Sequence, residues 1–151
     1  MASALLKIYV HVVFHVKAKG VNMQKRDLPE IFSYIAGIVR RIGGEPIAVG
    51  GVEDHVHILA AMPKSYTVPD YVKEIKIGSS HWLRINKLGY TDFAWQTGYG
   101  AFSVSASVLP KIQSYVMRQE EHHSRQTYSD EYRKWLVAYK VEFDERYAFS
   151  D

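Results

Sequence analysis

Between Leu6 and Lys17 the chain alternates strictly. Leu6, Ile8, Val10, Val12, Phe14 and Val16 share one parity, and Lys7, Tyr9, His11, Val13, His15 and Lys17 share the other. A β-strand sends successive side chains to opposite faces, so this segment predicts a strand with one buried face and one more polar face. A strand that opens a chain in this way must find partners for its backbone groups, and the following elements supply them.

Leu28, Ile31, Phe32, Ile35, Ile38, Val39 and Ile42 recur at helical spacing after a capping-box pattern at Asp27 and Glu30, and Gly43-Gly44 closes that helix. Pro46 to Val52 and His55 to Met62 read as two strands joined by a turn at Glu53-Asp54, an antiparallel hairpin. Thr67 with Asp70 caps a helix running to about Leu88, with Gly89 as its stop. Phe93 to Ser105, rich in glycine and aromatic residues, reads as a loop leading into a short strand. A helix begins near Pro110 and runs to about Arg125, and a last amphipathic helix covers Ser129 to Val137. The order β-α-β-β-α-β-α-α predicts an α+β fold: a four-stranded antiparallel sheet with helices on one face, in a ferredoxin-like split βαβ arrangement. The length of 151 residues suits one domain over 1–151, with a core of about 5–140.

Composition removes several chemistries. There are no cysteines, which excludes disulfides, thiolate metal sites and a cysteine nucleophile. The N-terminal strand lacks the continuous apolar run and cleavage site of a signal peptide, and no apolar run is long enough for a membrane span. A cytoplasmic bacterial protein without a membrane partner is expected. The formal net charge of +3 permits a nucleic-acid partner without requiring one.

Two features carry candidate chemistry. On a strand, His55 and His57 project to the same face while Val56 points away, a ready pair of metal ligands or, equally, two solvated histidines on a polar sheet face. On the helix after Pro110, Tyr115 and Gln119 lie one turn apart on one face. Tyrosine can act as a covalent nucleophile and glutamine can offer a neutral oxygen to a metal, but Val108, Ile112, Tyr115, Val116 and Gln119 also read as one core-facing stripe.

In this order and spacing the chain resembles the HUH transposases of small insertion sequences, which use one catalytic tyrosine. The resemblance is carried by Gly51-Val52-Glu53-Asp54-His55-Val56-His57-Ile58-Leu59, by the stretch from Phe93 to Ser105 around Trp95-Gln96-Thr97-Gly98-Tyr99-Gly100, and by Tyr115-Val116-Met117-Arg118-Gln119-Glu120-Glu121-His122-His123, within a span from about Tyr9 to Tyr132. The resemblance implies an HUH endonuclease domain in which His55, His57 and Gln119 hold Mg2+ or Mn2+. It implies that Tyr115 attacks a phosphate of single-stranded DNA to give a 5′-phosphotyrosine and a free 3′-OH, which is later rejoined to another strand. It further implies DNA partners at hairpin-containing ends of a mobile element, and a homodimer in which the tyrosine helix of one subunit completes the metal site of the other. The residue types suit this chemistry. Three neutral ligands leave the cation's charge free to stabilise a developing phosphorane, and a phenolate, with a pKa of ~10, leaves more readily than an alkoxide.

His11, Lys73, Lys76, Arg84, Trp95 and Arg118 are the candidate DNA contacts, with Lys87, Tyr99 and Phe102 as further candidates. Each also has a plain structural reading, as a surface charge or a loop anchor. His122 and His123 fall either near the metal or merely at the helix end. The rival functions are another HUH nuclease (a replication initiator or relaxase), a non-catalytic DNA-binding derivative and a split-βαβ RNA-binding module.

Overall fold

The structure, a computed structural model, describes residues 4–123 and 126–148, with the backbone alone at 147. β1 (Tyr9–His15) lies inside a four-stranded sheet of order β2-β3-β1-β4, in which β2 (Glu45–Val52) and β3 (His55–Ala61) form the expected hairpin and β4 (Gly100–Val104) takes the other edge. Every neighbouring pair is antiparallel. Pro46, which has no N–H to give a ladder, falls on the edge strand where the β2–β3 register shifts. Opposite Cα partners are His15 with His55, Val13 with His57 and His11 with Leu59, so these six side chains share one face.

The other face is the main core. α1 (Leu28–Arg41) buries Leu28, Ile31, Ile35, Ile38 and Val39, and α2 (Val68–Asn86) buries Tyr71, Val72, Ile75 and Leu83, against Val10, Val12, Phe14, Val56, Ile58 and Ala60 of the sheet. The Thr67 hydroxyl accepts from the Asp70 N–H at 3.2 Å, as its capping pattern predicts. The pattern at Asp27 does not cap α1. Its carboxylate instead accepts from the Tyr90 hydroxyl at 2.8 Å, because Tyr90 is buried and must find a partner for that group.

The expectation of helices on one face is corrected. α3 (Leu109–Met117), α4 (Gln119–His123) and α5 (Tyr128–Ala138) lie over the face that carries the histidines. α5 places Tyr128, Tyr132 and Leu136 on Val13 and Phe102, while Val116 of α3 packs with Ala48, Leu59 and Val104. β1 is therefore buried on both sides, and the parity holding His11 and His15 is interior rather than solvated. The physical reason is that Val13, Leu59 and Phe102 leave apolar area on this face, which the amphipathic C-terminal helices cover.

The single helix expected from Pro110 to about Arg125 is divided, and Arg125 falls outside the described residues. α3 ends at Met117, Arg118 leaves helical geometry at φ −110° and ψ 34°, and α4 restarts at Gln119. At the break the Gln119 side-chain amide donates to the Tyr115 carbonyl at 3.2 Å. The same carbonyl also accepts the Arg118 N–H at 3.3 Å, a tightened last turn that closes α3. A short helix, α6 (Glu145–Ala148), follows α5 and has no counterpart in the sequence reading.

Candidate metal centre and tyrosine site

His55 and His57 project from β3 into the layer between the sheet and the C-terminal helices, and both are fully buried. His57 Nε2 donates to the Glu131 carboxylate at 2.9 Å, and His123 Nε2 and His55 Nε2 approach the same oxygen at 3.1 and 3.4 Å. Gln119 Oε1 lies 3.2 Å from His55 Nε2 and 3.0 Å from His123 Nε2. Ligand atoms of His55, His57, His123 and Glu131 all fall within 4.8 Å of one another, a group that can hold a divalent cation.

The outer nitrogens of these rings are also engaged. His55 Nδ1 donates to Asp54 at 2.7 Å, in the turn between β2 and β3. His57 Nδ1 shares a hydrogen bond of 2.7 Å with His11 Nε2, and His123 Nδ1 donates to the Gln126 carbonyl at 2.9 Å. Holding the outer nitrogen of a ligating imidazole fixes the ring and directs its other nitrogen inward, the usual support for a metal-bound histidine. Among the described residues His11 Nδ1 is buried without a hydrogen-bond partner.

Electrostatics follow from this enclosure. Burial works against a charged His55, but the hydrogen bonds to Asp54 and Glu131 outweigh it and raise the imidazole to about 9. Burial drives His57 down to about 4, and Glu131 only partly offsets it. For Glu131, burial favours the neutral acid, yet the hydrogen bonds from His123, His55 and His57 hold the carboxyl well below its usual range.

Tyr115 stands beside this cluster. Its hydroxyl donates to the second oxygen of Glu131, its ring stacks on His122 at 4.5 Å between centroids, and Trp135 lies edge-on at 5.5 Å. Burial first, and then the bond to Glu131, raise the phenol well above its ordinary pKa. A cleft of about 330 Å³ opens at Tyr115 and Glu131 between Lys134 and Trp135, and a larger one of about 690 Å³ reaches His123 and Asp54 from the other side.

The placement of Tyr115 depends on a glycine. Val116 is the one fully buried residue of α3, with Leu109 and Ile112 only partly buried beside it on the sheet. The helix nevertheless sits tight, because Gly50 of β2, opposite His57, has no Cβ to strike the Val116 carbonyl. Gly50→Ala is expected to lift α3 off the sheet at a cost of about 1–3 kcal/mol, read as a lowered Tm, and to separate Tyr115 from His57, read as a loss of activity larger than the lost stability explains. Unchanged Tm and activity in that variant mean that α3 is not held by this approach.

The structure thus brings Tyr115, His55, His57 and Gln119 together, although Gln119 belongs to a separate short helix. His11 joins them as the partner of His57, at 0% exposure. Three of the other candidate DNA contacts make hydrogen bonds within the chain. Lys76 donates to the carbonyls of Gln96 and Gly98 at 2.9 and 2.7 Å, Arg84 to that of Phe93 at 3.1 Å, and buried Trp95 to Ser79 Oγ at 2.9 Å. These three pin the Phe93–Gly100 loop to α2, on the far face of the sheet. Lys73 and Arg118 are exposed. Glu131 and Asp54 were not anticipated as site residues. The signal for Glu131 was present: it interrupts the stripe of Tyr128, Tyr132, Trp135 and Leu136, and a charge in an apolar stripe requires a partner.

Comparison with known proteins places this geometry. A transposase from Deinococcus radiodurans superposes with a TM-score of 0.59 at 20% identity, covering 79% of this chain and 95% of its own. A REP-associated tyrosine transposase bound to a REP hairpin superposes with a TM-score of 0.57 at 12% identity, covering 82% of this chain and 73% of its own. In sequence, the ISDra2 transposase TnpA of D. radiodurans is 22% identical over 116 residues, 74% of this chain and 83% of that protein. The sheet with its helices is thus the fold of HUH-type transposases. The chain belongs to the IS200-like transposase family, whose profile matches residues 4–119.

Proposed function

We propose that this transposase cleaves and rejoins single-stranded DNA at the ends of a mobile element through a covalent bond to Tyr115, within the bacterial cytoplasm. The observation that carries the reading is the meeting of the Tyr115 hydroxyl with a histidine-lined cation group inside one chain. Tyr115 Oη forms the new bond to phosphorus, the bond to the 3′ oxygen breaks, and that oxygen leaves as a 3′-OH with a proton. The phenolic proton departs as the attack proceeds. Reversal by another 3′-OH restores a phosphodiester and frees Tyr115, so no nucleotide cofactor is consumed.

His55, His57 and Gln119 are the residues proposed to hold Mg2+ or Mn2+, which when bound supplies Lewis-acid stabilisation of charge on the phosphate oxygens. Asp54 and His11 orient the two imidazoles. The site's burial keeps water from competing with the tyrosine, and the cleft beside Trp135 gives a base a ring on which to stack. A hairpin-bearing strand is the proposed substrate, in keeping with the REP hairpin bound by the structural relative. A homodimer would hold two element ends, each protomer carrying its own complete site, since α3 packs on its own sheet.

The test is to incubate the protein with labelled single-stranded hairpin oligonucleotides and Mn2+ and to resolve products under denaturing conditions. A covalent adduct is expected, with Tyr115 as the modified residue by mass spectrometry and no product in excess chelator. An adduct on a different residue, or undiminished cleavage in chelator, overturns the reading.

A further inference from the structure

Two residues of α5, one turn apart, meet the Tyr115 hydroxyl. The hydroxyl donates to Glu131, and the indole N–H of Trp135 points at the same oxygen from 3.5 Å. The family profile ends at residue 119, so both lie beyond the matched segment. The indole is packed on its other sides. His11 meets it edge-on at 4.8 Å between centroids, Phe102 lies tilted at 5.4 Å, and Tyr139 stacks at 6.0 Å. A ring held in this way keeps its N–H facing the phenol oxygen before any charge develops there. The indole nitrogen is a donor only, and it neither accepts a proton nor gives one up at ordinary pH. Toward the oxygen it can only favour negative charge. Burial and the Glu131 bond both raise the phenol, and the bond from Trp135 pulls the other way.

We propose that Trp135 is a further catalytic residue, whose indole N–H stabilises the negative charge that develops on Tyr115 Oη during strand cleavage and during rejoining. The proposal rests on Tyr115 as the nucleophile and adds a second group at its reacting atom. In cleavage the bond from Oη to phosphorus forms, and the bond from phosphorus to the 3′ oxygen breaks with its electron pair on that oxygen. One proton leaves Oη for water in the cleft, and one passes from water to the 3′ oxygen. In rejoining each change runs backwards, and the phenolate leaves phosphorus. Trp135 keeps its own proton throughout. Both directions cross one transition state in which Oη is partly anionic. The donor therefore lowers the barrier both ways and leaves the balance between adduct and free strand nearly unchanged. At 3.5 Å the contact is long in the resting site, and such bonds tighten as the acceptor gains charge. Only the nitrogen serves this role, which separates it from the stacking of a base on the ring.

The experiment compares the full chain with its Trp135→Phe variant on a labelled single-stranded hairpin oligonucleotide with Mn2+. Two rates are measured: adduct formation at saturating oligonucleotide, and rejoining of the purified adduct to a strand with a 3′-OH. Trp135→Phe keeps a ring against His11 and Phe102 and removes the N–H. It is expected to slow both steps by at least about tenfold and by similar factors, with oligonucleotide affinity within a few-fold of wild type. Rates within about threefold of wild type overturn the proposal, because the ring alone then suffices. Slowing of one direction only, or a loss confined to affinity, overturns it as well. A second measurement needs no Trp135 variant. The indole N–H resonances of the isotope-labelled chain are compared with those of Tyr115→Phe, which removes the acceptor. The Trp135 resonance is expected to move while those of Trp82 and Trp95, in the core layer on the far face of the sheet, stay in place. An unmoved Trp135 resonance overturns the contact itself. If the wild type gives no adduct, the cleavage reading fails and takes this role with it. A wild-type adduct that Trp135→Phe forms equally fast removes this role alone.

Discussion

Tyr115→Phe is expected to abolish the covalent DNA adduct, with strand cleavage reduced by at least about a thousandfold, while binding of the same hairpin oligonucleotide stays within a few-fold of wild type. The substitution removes one oxygen and leaves the ring stacked on His122 and against Trp135. Its structural cost is the loss of the partner of one Glu131 oxygen, on the order of 1–3 kcal/mol, which a folded domain tolerates. Adduct yield on a denaturing gel, set beside Tm and binding affinity, separates these effects. Adduct formation by the Phe variant at more than a few percent of wild type would falsify Tyr115 as nucleophile.

His57→Ala is expected to be as severe, and for a different reason. The imidazole lies at the centre of the cluster, between Glu131 and His11, so its loss removes an inward donor and leaves both partners short of a hydrogen bond. Cleavage should fall by about a thousandfold at saturating substrate, and added metal should restore little of it. Combining the two inactive variants adds a second readout. Tyr115 meets His57 through α3 docked on its own sheet, so mixed Tyr115→Phe and His57→Ala subunits should give no recovery, with exchange between chains verified independently. Recovery to a large fraction of wild type would show that the tyrosine of one chain serves the histidines of another, as the family resemblance implies for the homodimer.

Much of this architecture was legible in the sequence because it rests on local rules. Period-2 alternation marked β1, the Glu53-Asp54 turn marked the hairpin, helical spacing marked α1, the Thr67 cap and the Gly89 stop marked α2, and an amphipathic pattern marked α5. The same-face placement of His55 and His57 follows from strand geometry alone. What could not be read depends on long-range packing. The second face of β1 looks polar in a list of residues, and only the covering helices make it a sealed interior. The break at Arg118 lies in the backbone, where α3 closes on a tightened turn and the Tyr115 carbonyl accepts from both the Arg118 N–H and the Gln119 side-chain amide. Nor could a list of residues show that Lys76, Arg84 and Trp95 have partners within the chain, carbonyls and a serine hydroxyl brought close by the tertiary fold. Glu131 escaped notice since its partners are 8, 74 and 76 residues away in sequence.

The short turn at Asp54 carries a consequence for how such a chain can diverge. Surface turns are usually where a lineage gains and loses residues without harm. Here the carboxylate in the turn orients His55, and the strand that leaves it presents His55 and His57 on alternate positions of one face. Lengthening the turn moves the anchor away from its ring, and a one-residue slip in β3 sends both imidazoles into the apolar layer beneath α1 and α2. Insertions are therefore closed to this hairpin for reasons of chemistry rather than stability, and descendants that still cut DNA must vary in composition there while keeping its length.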